Sequence, residues 1–149
     1  MKVALGSDHG GFSIKNLIID HLKNKGIECE DLGCYSTESC DYPIYGKKVA
    51  EAVKNKEADF GIIVCGTGIG ISIAANKVPG IRAAHCTDSF SAKATRQHND
   101  ANILAIGERI TGPSIALEMV DAFLSTEFEG GRHENRVSLI SDIEKEYLK

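Results

Sequence analysis

The sequence predicts an α/β fold in which helices cover both faces of a five-stranded parallel sheet. Short β-branched apolar runs alternate with segments whose apolar residues recur at helical spacing, as in a parallel sheet wrapped by helices. One run, Phe60 to Cys65, leads straight into a glycine-rich turn and a helical stretch, Ile71 to Lys77. The chain has 149 residues, 42% of them hydrophobic, which is enough for one domain with a proper core.

Five segments have the composition of strands. In chain order they are Val3 to Gly6, Ile27 to Asp31, Phe60 to Cys65, Ile81 to Cys86 and Asn102 to Gly107.

Helices are predicted between the strands, because apolar residues there fall on one helical face. The stripes are Ile14, Leu17, Ile18 and Leu22, then Tyr45, Val49, Ala52 and Val53, then Ala116, Met119, Val120 and Phe123. We interpret all three stripes as core.

Glycine and proline mark the helix boundaries. Gly26 is predicted to end the first helix and Pro113 to open a later one. Val137, Ile140 and Ile143 indicate a final helix over about residues 136–148. The chain shows no repeat, low-complexity segment or linker, so residues 1–149 are expected to form a single domain.

Composition argues against several classes of protein. The net charge of -4 disfavours a nucleic-acid surface, which normally carries a basic excess. No apolar run approaches the ~20 residues that span a bilayer. The first residues turn polar too early for a secretory signal, and the cysteines are odd in number, so a reduced cytoplasmic chain is expected.

The five cysteines divide into one candidate for chemistry and four structural residues. Zinc is not expected, because the cysteine spacings lack the close pairs of structural zinc sites. We interpret as structural Cys29, Cys34, Cys40 and Cys86.

The remaining cysteine, Cys65, precedes glycines at positions 66, 68 and 70. This spacing is one residue too tight for the dinucleotide fingerprint, and no P-loop lysine follows. Alternate glycines let backbone amides converge on an anion, and the same field favours the thiolate of Cys65. The alternative is that the glycines only make a tight strand-to-helix connection, with Cys65 as a small buried apolar residue.

Ligands of a parallel sheet bind at the carboxyl ends of its strands, so the residues there are candidates. Asp8 and His9 follow the first strand, Asp88 follows the fourth, and Arg109 follows the fifth. Asp8 and Asp88 could instead cap helices, which is the preferred interpretation for Asp88, and His9 could be an ordinary surface histidine.

The segment from His98 to Asp100 precedes the fifth strand and is therefore expected near the opposite edge of the sheet. Either a loop folds back, or the rule about strand ends misses this group.

Arg132 and Arg136 are four residues apart and share one face if the last helix has begun there. Two cations in a first helical turn oppose the helix dipole unless an anion lies between them. A phosphate would satisfy both guanidinium groups through paired N–H donors. The alternative is neutralisation by Glu129 or Glu134.

This inventory of a thiolate, an amide-lined turn, a histidine and arginines fits proton abstraction beside the carbonyl of a phosphorylated sugar. Over nearly its whole length the chain resembles type B ribose-5-phosphate isomerase. The motifs that carry the resemblance are Gly6-x-Asp8-His9-x-Gly11, Asp41-Tyr42-Pro43, the stretch from Cys65 to Lys77, the stretch from Arg96 to Asn102, and Gly130-Gly131-Arg132-His133.

The resemblance implies roles for the residues of the glycine turn and for Asn99. Cys65 would be the base that moves a proton between C2 and C1 of the open-chain sugar, with Thr67 assisting. Asn99 would be a second stabiliser of the enediolate oxygen. The amides that would hold this oxygen belong to Gly66, Gly68, Ile69 and Gly70.

The remaining roles also come from the resemblance. His98 would open the furanose ring, and Asp8 would contact the ring-end hydroxyls. The phosphate and substrate contacts would be His9, Arg109, Arg132 and Arg136. No metal or cofactor is implied.

The family also implies a Rossmann-like three-layer sandwich and a homodimer or dimer of dimers with sites between subunits. His98 or the arginines would then serve a neighbour's pocket, and the helix at about 136–148 would contact that neighbour.

The predicted reaction is the interconversion of D-ribose 5-phosphate and D-ribulose 5-phosphate through an enediolate. Three alternatives stay open: the same chemistry on allose 6-phosphate or galactose 6-phosphate, nucleophilic catalysis through a thioester at Cys65, and a non-catalytic sugar-phosphate or nucleotide sensor.

Overall fold

A computed structural model describes residues 1–148 and contains five strands and six α-helices. In chain order the elements are β1 (Lys2–Ser7), α1 (Phe12–Asn24), β2 (Glu28–Asp31), α2 (Tyr42–Lys54), β3 (Phe60–Cys65), α3 (Ile69–Ala75), β4 (Ala83–His85), α4 (Ser89–Asn99), β5 (Ile103–Gly107), α5 (Pro113–Leu124) and α6 (Arg132–Tyr147). A single 3₁₀ turn, His9–Gly11, separates β1 from α1.

All five strands run parallel, in the order β2-β1-β3-β5-β4. The register pairs Ser7 with Val64 and Cys65 with Gly107. The carboxyl ends of β1, β3 and β5 therefore meet at one edge of the sheet. The fold is the α/β sandwich that the sequence predicts.

Apolar side chains fill both faces of the sheet. One core joins α1 and α5 to the sheet and includes Ile18, Met119 and Phe123, all fully buried. The other lies under α2 and α3 and includes Val49 and Ile71. The central strand β3 alternates between the two cores, which explains why almost every residue in it is apolar.

The helix boundaries predicted from glycine and proline are confirmed. Gly26 adopts a positive φ of 75° just after α1, and its N–H donates to the carbonyl of Lys23, as expected where glycine ends a helix. Pro113 is the first residue of α5. No helix among residues 1–148 has both the length and the apolarity needed to cross a bilayer.

Some details of the sequence prediction are wrong. Leu17 is 37% exposed, because it lies about 100° round α1 from Ile18, beyond the edge of the buried face. β4 starts at Ala83 and ends at His85, so it is shorter than predicted at both ends. α6 begins at Arg132, four residues earlier than expected, and its apolar residues Ile140 and Ile143 are exposed.

Candidate active site

Cys65 closes β3 at the carboxyl edge of the sheet and is only 4% exposed. The backbone N–H of Gly68 donates to its Sγ at 3.1 Å, a contact that complements a negatively charged sulfur. Gly68 has φ 80°, and this left-handed conformation turns the chain back towards the sulfur. The Oγ1 of Thr67 accepts from the N–H of Ile69 at 3.2 Å.

Close packing holds this loop against the neighbouring elements. A Cβ placed on Gly68 would lie 2.6 Å from the ring of His85, and one placed on Gly70 would lie 2.6 Å from the ring of Tyr42. Gly107 of β5 lies directly against the backbone of Thr67. The glycines are needed for close approach as well as for conformation. α3 has only seven residues, so the loop amides contribute more to an anion site here than the helix dipole does.

The residues that follow β1 and β5 lie beside this loop. A Cβ on Gly10 would be 3.3 Å from the Gly66 nitrogen, so the 3₁₀ turn touches the loop. The Arg109 N–H donates to the Gly66 carbonyl at 3.0 Å, and its side chain lies over Gly66. We call the residues gathered at this edge the cysteine group: Asp8, His9, Cys65, Thr67 and Arg109.

Two members of the cysteine group are already engaged by the backbone. The Asp8 carboxylate accepts from the Gly11 N–H at 3.1 Å, so Asp8 caps the 3₁₀ turn, as the structural alternative supposed. The His9 Nδ1 accepts from the Cys40 N–H at 3.1 Å. A neutral His9 ring therefore carries its proton on Nε2 and can donate from there.

The other predicted residues lie at the opposite edge of the sheet. His98 and Asn99 end α4, four residues before β5 begins, whereas Cys65 pairs with the last residue of β5. Since a parallel strand rises about 3.3 Å per residue, the ends of β5 are about 13 Å apart. One chain does not bring His98 to Cys65, and the rule about strand ends misses His98.

His98 lies instead beside the start of α6. Its ring stacks on that of His133, with centroids 4.5 Å apart and planes inclined by 17°. Arg132 and Arg136 occupy the first turns of the same helix. We call these residues the histidine group: His98, Asn99, Arg132, His133 and Arg136.

The histidine group is electropositive. Burial, His98 and Arg132 lower the pKa of His133 from its usual 6.5, although Glu129 acts in the opposite sense. Among residues 1–148 the carboxylate of Glu129 pairs with His133 at 3.6 Å, and none pairs with Arg132 or Arg136. Neither Glu129 nor Glu134 therefore forms an ion pair with the arginines among the described residues.

Three members of this region could in principle hold a metal ion. Ligand atoms of His98, Glu129 and His133 lie within 4.8 Å of one another. The two arginines and the amino end of the sixteen-residue α6 oppose a cation there and favour an anion. The arrangement fits a phosphate better than a metal.

A family model described as ribose/galactose isomerase matches residues 3–140. The chain belongs to the ribose/galactose isomerase family. Ribose-5-phosphate isomerase B of Escherichia coli is 51% identical over 144 residues, which cover 97% of each chain. The solved ribose-5-phosphate isomerase B of Clostridium thermocellum is 59% identical, with a TM-score of 0.99, over 99% of this chain and 100% of that one.

A second similar structure comes from Mycoplasma genitalium. Ribose-5-phosphate isomerase B from that organism was solved with bound ribulose-5-phosphate, and it is 42% identical with a TM-score of 0.92 over 97% of each chain. These comparisons confirm the predicted family and the isomerase class.

Sequence reasoning missed three residues of this ribose/galactose isomerase that lie at the two groups. His85 packs on Gly68. Its position at the carboxyl end of β4 could have indicated a site residue, but the predicted strand extended one residue further, to Cys86. Tyr42 packs on Gly70, and His133 stacks on His98. Both residues belong to motifs that carry the family resemblance, but the sequence analysis gave neither of them a role. The interpretation of Asp88 as a helix cap is confirmed, because its carboxylate accepts from the Ser91 N–H at 2.7 Å.

Proposed function

We propose that this chain interconverts D-ribose 5-phosphate and D-ribulose 5-phosphate through an enediolate, in a homo-oligomer. The observation that carries the proposal is the overlap, over nearly the whole chain, with solved ribose-5-phosphate isomerases B. The arrangement of the cysteine group supplies the chemistry.

Cys65 is the base. Its thiolate removes the proton from C2 of the open-chain aldose and returns a proton to C1. The hydroxyl proton of O2 passes to O1 as the second carbonyl forms at C2, so that no atom is gained or lost. The negative charge moves onto oxygen in between, where the loop amides and Thr67 stabilise it. One donor aimed at such an oxyanion can contribute ~3 kcal/mol to the transition state, because the ground-state carbonyl lacks that charge.

The histidine group completes the site from a second copy of the chain. His98 opens the furanose ring, Asn99 donates to the enediolate oxygen, and Arg132 and Arg136 hold the phosphate. A second copy is required because Cys65 and His98 lie at opposite edges of the sheet within one chain.

Exposed apolar side chains flank both groups and support this assembly. Beside the cysteine group, Ile44, Ile69 and Ile73 are each more than half exposed. Beside the histidine group the exposed apolar residues of α6 are Leu139, Ile140, Ile143 and Tyr147. A groove of about 580 Å³ there is lined by Asn99, Ile140 and Ile143 among others. Surfaces of this kind mark sites of protein association.

The role of Cys65 is tested with Cys65→Ala in a coupled isomerase assay. Turnover of ribose 5-phosphate should be abolished while calorimetry still detects ribose 5-phosphate binding. Cys29→Ala is the matched control, because Cys29 is half-buried on β2 away from the loop, and it should keep wild-type turnover. A wild-type protein that binds the sugar without turnover would be a sensor. Mass spectrometry of wild type during turnover should show no covalent adduct, and an adduct would favour a thioester.

The shared site is tested by mixing two inactive variants, Cys65→Ala and His98→Ala, after joint unfolding and refolding. Random pairing gives one intact site in each mixed dimer, so about a quarter of wild-type activity should return. If both groups served the same chain's site, no activity would return.

The choice of sugar is tested by comparing kcat/KM for ribose 5-phosphate, allose 6-phosphate and galactose 6-phosphate. The family description includes galactose isomerases, so a six-carbon sugar phosphate is the second candidate. A higher kcat/KM for either hexose phosphate would replace the five-carbon assignment and leave the enediolate mechanism in place.

A further inference from the structure

Arg96 is a buried cation near the end of α4 that the proposed mechanism does not use. The residue is 7% exposed, and its guanidinium lies over the rings of Phe60 and Phe123, at 4.8 and 5.8 Å from their centroids. Phe123 is fully buried, so Arg96 is anchored in one of the two cores. Burying a charge is costly unless every donor finds a partner.

The hydrogen-bond partners of Arg96 all lie in segments next to the histidine group. Its Nη1 donates to the Asp100 Oδ1 at 2.8 Å and to the Ala101 carbonyl at 2.8 Å. Its Nε donates to the Thr126 carbonyl at 3.3 Å. Asp100 and Ala101 directly follow Asn99, and Thr126 lies in the segment that leads to α6.

A second arginine holds the same turn from the other side. Asp100 has φ 46° and ψ 43°, a left-handed conformation that costs a non-glycine residue free energy. Arg82 donates to the Asn99 carbonyl at 3.0 Å and to the Asp100 carbonyl at 2.9 Å. We call Arg82, Arg96 and Asp100 the α4 clamp.

The clamp also fixes α4 relative to α6. The Glu129 N–H donates to the Gln97 carbonyl at 3.1 Å, next to the bond between Arg96 and Thr126. Both contacts lie within six residues of Arg132. The rings of His98 and His133 stack beside these contacts.

We propose that Arg96 and Asp100 are positioning residues that hold His98 and Asn99 in register with the phosphate-binding arginines of α6. The inference deepens the proposed function and depends on it. Arg96 suits the task because its rigid fork binds Asp100, Ala101 and Thr126 at once, which a lysine ammonium on a flexible stem cannot do.

The first test uses Arg96→Lys and Asp100→Gly. Glycine accepts the left-handed conformation but removes the carboxylate, and a misplacement near 1 Å can cost on the order of 100-fold in rate. We expect kcat for ribose 5-phosphate to fall by ~10- to 100-fold in both variants. Asp100→Asn keeps an acceptor and tolerates the same φ, so it should stay close to wild type.

A comparison of the two reaction directions separates positioning from general damage. Ribulose 5-phosphate cannot close a furanose ring, because its C5 oxygen is phosphorylated, so only ribose 5-phosphate needs ring opening by His98. The ratio of kcat for ribose 5-phosphate to kcat for ribulose 5-phosphate should therefore fall in Asp100→Gly. Asp121→Asn is the matched control: Asp121 bonds Lys25 and His21, each at 2.8 Å, away from both groups, and its ratio should equal that of wild type.

A second readout does not depend on activity. The ring signals of His98 and His133 in ¹H–¹⁵N NMR spectra should shift in Asp100→Gly and stay in place in Asp121→Asn. Two results for Asp100→Gly would overturn the positioning role of the clamp. One is unchanged ring signals of His98 and His133, and the other is a lowered Tm with a wild-type ratio of kcat for ribose 5-phosphate to kcat for ribulose 5-phosphate. Should Arg96→Lys fail to fold, Asp100→Gly decides, because the Asp100 side chain is 37% exposed and its removal leaves no buried cavity. A wild-type chain without isomerase activity would refute the proposed function, and the ring signals would still test the alignment.

Discussion

Replacement of Gly107 by alanine should disable the Cys65 loop. Gly107 is the last residue of β5 and pairs with Cys65 in the sheet register. An alanine Cβ there would lie 2.8 Å from the Cα of Thr67 and closer still to its carbonyl. Ordinary contact begins at 3.4 Å, so the loop backbone must retreat by at least about 0.6 Å.

The cost follows from this displacement. Forcing one extra methyl group into a packed site typically costs about 1 to 3 kcal/mol of unfolding free energy. For a chain of this size that corresponds to a fall in Tm of about 3 to 10 °C. The displaced loop carries Thr67 and the amide that donates to Cys65, so kcat for ribose 5-phosphate should fall by ~100-fold.

Thermal unfolding followed by circular dichroism and the coupled isomerase assay measure the two effects. Gly112→Ala is the control, because a Cβ at Gly112 meets nothing within 4 Å. Gly112 is the N-cap residue of α5, so its replacement by alanine should lower the free energy of unfolding by at most about 1 kcal/mol and leave kcat unchanged. If Gly107→Ala keeps both wild-type kcat and wild-type Tm, the loop is not held by this contact and the reasoning fails.

Three further predictions concern stability and reactivity. Phe123→Ala should lower the free energy of unfolding by ~3 to 5 kcal/mol in urea titrations, because it empties a fully buried site that packs edge-on against Phe60. The lowered pKa of His133 means that the folded chain binds fewer protons than the unfolded chain just below pH 6.5. Stability should therefore fall as the pH drops below 6.5, and His133→Asn should reduce that fall; an identical pH profile in the variant would contradict the assignment. Burial raises the pKa of Cys86 to about 11, so iodoacetamide at pH 8 should leave Cys86 unmodified in the native chain and label it after unfolding, as peptide mass spectrometry would show.

Local sequence patterns were sufficient for the elements and for the loop. The apolar run of β3, the glycine after α1 and the proline that opens α5 act within a few residues, so they could be interpreted without tertiary information. Likewise the glycines around Cys65 impose a turn wherever the chain folds. The order of the motifs then indicated the family.

Neither the burial of individual side chains nor their contact partners could be predicted from local sequence. Leu17 has the same chemistry as Leu22, and only the angle at which α1 meets the sheet decides that the first is exposed and the second is buried. Arg96 looked like one charge in a polar motif, yet two aromatic rings far along the chain, Phe60 and Phe123, make it a buried anchor.

The sequence alone determined that this chain is an α/β protein with a cysteine at a glycine turn and two arginines at the start of the last helix, because those features follow from periodicity and from local backbone chemistry. The tertiary structure decided that no loop folds His98 back towards Cys65, so that the two groups stay at opposite edges of the sheet and His98 stacks on His133. The direction of β5 and its place between β3 and β4 set that separation, and strand order depends on packing across the whole chain.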